Sequence, residues 1–418
     1  MSETPFDVTT PDKAIFLLRN SLNLALHLQN SRESVEIRNA LNRILSKNIV
    51  SHINLPGFNR STMDGYAIKA EDSFGTTDSL PTYFEVVEEI SMGSKPGFEL
   101  NPGEAAKIST GGMLPESSNA VIMLEYVEQI SKTSIEVRKS VAPWENVVRK
   151  DEDLKMGKTI LTKGHRIRPQ DIGILAGIGK LTVEVYKKPK VAIISTGNEI
   201  VPVDELPGLG QVRDVNSYTL GARLLETYAI PKYKGIVKDD KYLLESKIKE
   251  ILQKKEADAI LISGGSSVGS RDITLEVLNN LGNPGILVHG VSVKPGKPTI
   301  IAVVNDIPIF GLPGHPVSAM VIFEVFIKDL IGWLEGHNVE LSFNKEIEAE
   351  IDSNIASASG REEYIRVLLY KKEEKYFAKP VLGKSGLISN MVLASGFVKI
   401  GLNVEGLDKG TKVKVKLF

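Results

Sequence analysis

The chain contains no cysteine, which removes disulfides, thiolate nucleophiles, iron–sulfur clusters and cysteine-bound zinc from consideration at once. Its six histidines, His27, His52, His165, His289, His315 and His337, are scattered, and no HExxH pair sets two imidazoles on one helical face. Any metal must therefore rest on oxygen or nitrogen, and carboxylate-bound Mg2+ is the natural expectation. An excess of one charge is also missing. Fifty-one Lys and Arg face 52 Asp and Glu, so no global field draws the protein to nucleic acid or an anionic membrane. Long apolar runs are absent: the one from Val317 to Phe323 stops at Glu324, and Glu3, Asp7 and Asp12 stand where a signal peptide would be basic. A cytoplasmic protein without nucleic-acid or membrane partners is expected.

What is present is an ordinary globular composition, 42% hydrophobic and 25% charged over 418 residues, a length that predicts two to four domains. Thr10-Pro11-Asp12 signals a first helix, with apolar residues at Ile15, Leu18, Leu22 and Leu26. Between Asn48 and Glu152, short apolar runs broken by Gly, Pro, Asn and Ser read as a β-rich insertion (48–152). The segments 1–47 and 153–187 are assigned to an N-terminal linking domain, with strand-like pieces Thr159–Leu161 and Leu181–Tyr186 around a Gly-rich turn region. From Lys190, apolar strands alternate with helical stripes. Asn216 reads as the cap of a helix through Tyr228, and Asp240 as the cap of another carrying Leu244, Ile248 and Ile251. This predicts a three-layer α/β domain over 188–335, with ligands at the carboxyl ends of its strands. Residues 340–418 alternate apolar and polar positions, predicting a C-terminal β domain of barrel-like form in which Lys371–Lys375 is a hairpin tip.

Chemistry is concentrated in a few loops. In SGGSSVGSRD (Ser263 to Asp272), glycines and small hydroxyls between a buried strand and a helix let backbone N–H groups surround an anion. The bland reading is a flexible turn in which Asp272 only favours the helix N-terminus. SVKPGKPT (Ser292 to Thr299) stiffens a loop that presents Lys294 and Lys297, which suits an oxyanion or serves merely as an edge turn. Acids follow strand ends or sit in turns at Asp64, Asp153, Glu199, Asp239 and Asp272. Each has an innocent explanation as a turn or cap residue, but carboxylates beside phosphate-type loops imply a divalent cation between them. In GLPGHPVSA (Gly311 to Ala319) a Pro-rich turn precedes a helix, and His315 reads as a cap or packing residue before an acid/base.

Together, PGFNRSTMDGYA, ISTGGMLP, VRKDEDL, STGNE, SGGSSVG with Asp272, VKPGKP and GLPGHPVSA resemble, in order and spacing, the MoeA/gephyrin E-domain family, the molybdopterin molybdenumtransferases. The resemblance implies an elongated multi-domain chain. It also implies a homodimer whose site lies between the α/β domain of one subunit and the β-rich insertion of the other. The implied reaction inserts molybdate or tungstate into adenylylated molybdopterin with Mg2+-dependent release of AMP. Asp64, Thr110, Glu199, Asp239 and Asp272 are the implied catalytic groups. Ser263, Gly264, Gly265, Ser266, Gly269, Lys294, Lys297, Pro313 and Gly314 would bind the cofactor, and Asp153, Asp239 and Asp272 the metal. Asp151 competes with Asp153, and Asp240 with Asp239, for the matching positions. Implied protein partners are the molybdopterin adenylyltransferase and the recipient molybdoenzymes. Adenylyltransferase activity, or a non-enzymatic cofactor-binding scaffold, are the alternative functions.

Overall fold

The computed structural model describes residues 8–264, 273–337 and 346–418. Its centre is an α/β unit whose strands are β1 (Lys190–Thr196), β2 (Ile230–Val237), β3 (Ala259–Ser263), β4 (Pro284–His289), β5 (Ile300–Val304) and β6 (Ile307–Leu312). They form one sheet in the order β2-β1-β3-β6-β5-β4. The first four in that order are parallel, while β5 and β4 are added antiparallel. β1 and β3 are continuous apolar runs because both faces of the sheet are covered. One face buries Leu220 and Leu224 of α1 (Asn216–Glu226), and the other Leu244, Ile248 and Ile251 of α2 (Lys241–Gln253) with Val277 and Leu278 of α3 (Ile273–Asn280).

The helix Pro11–Asn20 belongs to this core, where Ala14 and Leu18 pack with Val191 and Phe323. The helical stripe expected to run on to Leu26 is broken after Asn20. A second helix, Leu24–Asn30, starts afresh, and the Asn23 side chain accepts from the Leu26 N–H. A further helix, Pro169–Gly177, occupies what the sequence reads as a Gly-rich turn region. Gly173 and Gly177 hide it, but Pro169 suits the first helical turn and the Asp171 carboxylate accepts from the Arg168 N–H at 2.8 Å.

The segment after Asn48 forms a six-stranded sheet in the spatial order 120–123, 65–68, 104–108, 82–89, 134–137, 127–129, packed around Ile68, Phe84, Ile122 and Ile135. At the other end of the chain, strands 346–351, 362–372, 375–380, 396–400 and 412–417 close into a five-stranded barrel, because 362–372 pairs with both 375–380 and 396–400. Glu373 and Glu374 take positive φ and make the expected hairpin tip. Among the described residues no helix is long and apolar enough to cross a membrane.

Candidate functional site

β1 and β3 are neighbours whose chains leave in opposite directions across the sheet, so a crevice opens at their carboxyl ends. Three strand ends meet there at Gly264. Its φ is +106°, its N–H donates to the Leu312 carbonyl at 3.2 Å, and a Cβ at this position would lie 2.0 Å from the Thr196 carbonyl oxygen. Only glycine fits this position. Asn216, expected as a helix cap, is instead the first residue of α1. Its side-chain amide donates to Ser263 Oγ at 2.7 Å and to the Gly314 carbonyl at 2.8 Å, tying β3 to the loop after β6. Asp214 does the work assigned to Asn216, accepting from the Ser217 N–H and the Ser195 hydroxyl.

The turns after β1 and β2 carry the acids. Asp239 accepts from the Thr196 hydroxyl at 3.3 Å and from the Asn198 N–H at 3.2 Å, while Asp240 caps α2 through the Leu243 N–H. The Glu199 carboxylate folds back over Gly197, where a Cβ would meet it at 2.7 Å. A cavity of about 620 Å³ opens here, lined by Glu199, Arg213, Asn216, Gly264, Pro313 and Gly314 among others.

A second cavity, about 650 Å³, adjoins it through Pro298, Pro313 and His315. Lys294 and Lys297 line this one, together with Ser292 and Arg361. Lys294 lies in a two-residue strand paired with Glu362–Glu363 of the barrel, and its ammonium meets the buried Glu363 carboxylate at 2.7 Å. Its charge is thus already partly matched. Ser292 and Arg361 were missed by sequence reasoning. Ser292 Oγ and Arg361 Nε are buried without hydrogen-bond partners among the described residues, which leaves donors waiting in a cavity flanked by cations. Nothing local marks Arg361 in the sequence, because it reaches the cavity only through the barrel's packing on the α/β unit. His315 hydrogen-bonds Ser385 through Nδ1 at 2.8 Å and borders both cavities.

A separate cluster lies in the insertion. The Thr110 N–H donates to Asp64 Oδ1 at 2.7 Å and its hydroxyl to the same oxygen at 3.1 Å. Asp64-Gly65 looks like a turn pair, but Gly65 opens a strand pressed against the Ile122 carbonyl, where a Cβ would sit at 1.9 Å. In the loop after Val148, the Asp153 N–H donates to the Leu55 carbonyl at 3.0 Å, whereas Asp151 takes φ +69° and keeps a buried carboxylate oxygen without a partner among the described residues.

The structure thus joins Asp64 with Thr110, and Asp239 with Thr196 and Asn198, but neither Asp64, Thr110 nor Asp153 lines the strand-end cavities. Gly265, Ser266, Gly269 and Asp272 lie outside the described residues. Among the described residues no three His, Asp or Glu converge to hold a metal. Two carboxylates flanking one turn, Glu199 and Asp239, do suit Mg2+, which is usually held by one or two carboxylates and completed by phosphate oxygens and water.

Three family descriptions match in succession: the MoeA N-terminal region (domain I and II) over residues 9–179, the probable molybdopterin binding domain over 192–333, and the MoeA C-terminal region (domain IV) over 348–418. The fold and its strand-end crevice therefore define a multi-domain protein organised around an α/β domain of the molybdopterin-binding type. The chain belongs to the MoeA family of molybdenum cofactor biosynthesis enzymes. It is 38% identical over 395 residues to a Methanocaldococcus jannaschii protein named for molybdopterin biosynthesis, covering 92% of each chain. It is 32% identical to the molybdopterin molybdenumtransferase of Bacillus subtilis, covering 93% of this chain and 90% of that one. The crystal structure of a molybdopterin biosynthesis MoeA protein from Pyrococcus horikoshii superposes with a TM-score of 0.81 at 34% identity, covering 98% of this chain and 99% of the other.

Proposed function

We propose that the chain is a molybdopterin molybdenumtransferase, which cleaves the adenylate from adenylylated molybdopterin, inserts molybdate or tungstate into the dithiolene and releases AMP. The observation that carries this reading is the pair of adjoining cavities at the strand ends. One is lined by Glu199 and the Gly314 backbone, with Asp239 on the Asn198 N–H of the adjoining turn, and the other has Ser292 and Arg361 donors, unpartnered among the described residues, beside Lys294 and Lys297. A phosphoanhydride suits the first and a tetrahedral oxyanion the second.

Glu199 and Asp239 would hold Mg2+, with Asp153 and Asp272 the further ligands implied by the resemblance; the ion would offset charge on the phosphoanhydride. Gly314, where a Cβ would meet nothing nearer than 3.8 Å, lets the phosphate approach the backbone, and the proline-rich wall at 298, 313 and 316 keeps water from the reacting phosphorus. Arg361 and Lys297 orient the oxyanion, one of whose oxygens attacks the adenylate phosphorus as the phosphoanhydride P–O bond breaks and the molybdopterin phosphate leaves; that oxygen departs with AMP as the dithiolene sulfurs replace it on the metal, so no enzyme nucleophile is required. The missing cysteine fits, since the sulfurs that take the metal belong to the pterin. The separation of Asp64 and Thr110 from these cavities supports a homodimer in which they complete the partner's site. The test is AMP release from adenylylated molybdopterin with Mg2+, with and without molybdate or tungstate. Oxyanion-stimulated release with recovery of active cofactor is expected; binding without turnover under either oxyanion would leave only a carrier.

A further inference from the structure

The strand-end cavity has two apolar lips. One is the loop 202–211, which springs from a stem where Ile200–Val201 pair with Val212–Arg213 and the Val212 N–H donates to the Glu199 carbonyl at 2.9 Å. Its tip carries Leu206, 88% exposed, and Leu209, which is fully exposed. The other lip belongs to the barrel: Gly386 and Ile388 line the cavity, Leu387 between them is half exposed, and Val392 and Leu393 of the short helix Ser389–Leu393 are more exposed still. Single exposed leucines are ordinary on a protein surface, but apolar groups on two sides of one polar cavity are groups that closure would bury.

The loop is bonded to itself and to its stem. The Gly208 N–H donates to Gln211 Oε1 at 2.9 Å, the Gln211 N–H returns to the Gly208 carbonyl at 3.1 Å, and Arg213 Nε donates to the Val203 and Glu205 carbonyls at 3.0 and 3.1 Å. Among the described residues, every hydrogen bond made by 202–211 stays within 202–213. The loop can therefore turn as a unit on residues 201 and 212 without breaking one. It has space to do so, because Pro202, Val203, Glu205 and Gln211 border a separate cavity of about 790 Å³ on the other side of the stem. Arg213 links this loop to the chemistry. It lines the strand-end cavity, and no acid among the described residues pairs with it. A guanidinium whose Nε holds the loop keeps two terminal nitrogens, in the same plane, for a phosphate.

We infer that 202–211 is a lid over the strand-end cavity: Arg213 takes a phosphate oxygen of the bound anhydride and carries the loop with it, so that Leu206 and Leu209 come down toward Leu387 and Val392. The inference rests on the activity proposed above and supplies something that activity needs. Water added across the same P–O–P bridge would give AMP and molybdopterin phosphate with no metal inserted, and a closed lid excludes that competitor.

Because the chain has no cysteine, a single introduced thiol reports on one place. Leu209→Cys and Leu387→Cys mark the two lips, and Leu181→Cys, at a position 79% exposed and outside both cavities, is the reference. The full-length protein is saturated with AMP and molybdate, saturation being followed by calorimetry, and each thiol is reacted with N-ethylmaleimide. The lip thiols are expected to react at least about tenfold more slowly than in the free protein, and the reference thiol at an unchanged rate. Arg213→Ala, saturated in the same way, loses that protection. In the double variant Leu206→Ser, Leu209→Ser, AMP release without any oxyanion is expected to rise at least about fivefold over the wild type as water gains entry. Lip thiols that ignore bound ligand, as at a tip already covered by a partner subunit, overturn the inference, and so does protection that survives Arg213→Ala. Oxyanion-stimulated AMP release beside unprotected thiols leaves the proposed activity standing without the lid; protection without such release leaves the lid and removes the activity.

Discussion

Neighbouring acids in this chain are separated by their backbone roles. Asp240 spends its carboxylate on the Leu243 N–H at the start of α2, while Asp239 faces Thr196 and Asn198 across the strand ends. Asp240→Ala is therefore expected to cost about 1 kcal/mol of stability and to retain AMP release. Asp239→Asn should reduce release at least about a hundredfold with little change in melting temperature; the reverse pattern would exchange the two roles. A different acid governs pH behaviour. Burial raises the Glu335 carboxyl from 4.5 to about 7, against the pull of Arg166. Between those values the folded chain keeps a proton that the unfolded chain has lost, so this group's contribution to stability falls as pH rises from 4.5 to 7. Melting temperatures of Glu335→Gln across that interval should show a flatter slope than the wild type, and an unchanged slope would refute the assignment. Asp240 was readable as a cap, but Glu335 looks like any solvated acid at the end of a helix until Arg166, 169 positions away in sequence, is seen to pack on it.

At the scale of elements, the strand ends depend on glycines whose missing side chains admit another backbone. Gly264→Ala would drive a Cβ into the Thr196 carbonyl, and Gly65→Ala into that of Ile122. Each is expected to cost more than about 2 kcal/mol, seen as a lowered denaturation midpoint, and a neutral Gly264→Ala would show that β1 and β3 can part without penalty. The pairing of Val293–Lys294 with the barrel is a second such junction. Lys294→Met takes its ammonium from the buried Glu363 carboxylate, which also accepts from the Ser357 hydroxyl, and a loss of about 1–3 kcal/mol by chemical denaturation is expected. Strong periodic segments such as β1 and α2 were legible because burial on one or both faces writes itself into spacing. The helix Pro169–Gly177 was not, because it buries only Asp171 and Leu175 and is held by a side-chain cap.

On the scale of the whole molecule, the residues proposed for the site are split between two modules of one chain, and the proposed dimer would reunite them. Mixing equal amounts of Asp64→Ala and Asp239→Ala subunits after dissociation should restore about a quarter of wild-type activity, since half of the dimers are mixed and each carries one intact site. Restoration to no more than background would place both acids in one subunit's site. Sedimentation of the wild type as a single dimeric species is the accompanying expectation.

The sequence by itself determined the α/β core, the β-rich insertion and the barrel-like C-terminal region, because alternating periodicities and turn residues are local properties. Its ordered motifs also determined the family. Only the tertiary structure decided that Arg361 and Ser292 share a cavity with Lys297, that Lys294 is paired with Glu363, and that Asn216 ties β3 to the loop after β6 rather than capping its helix. Those facts depend on contacts between distant segments, where the free energy of burying a charge or a donor is settled by whatever partner packing brings to it.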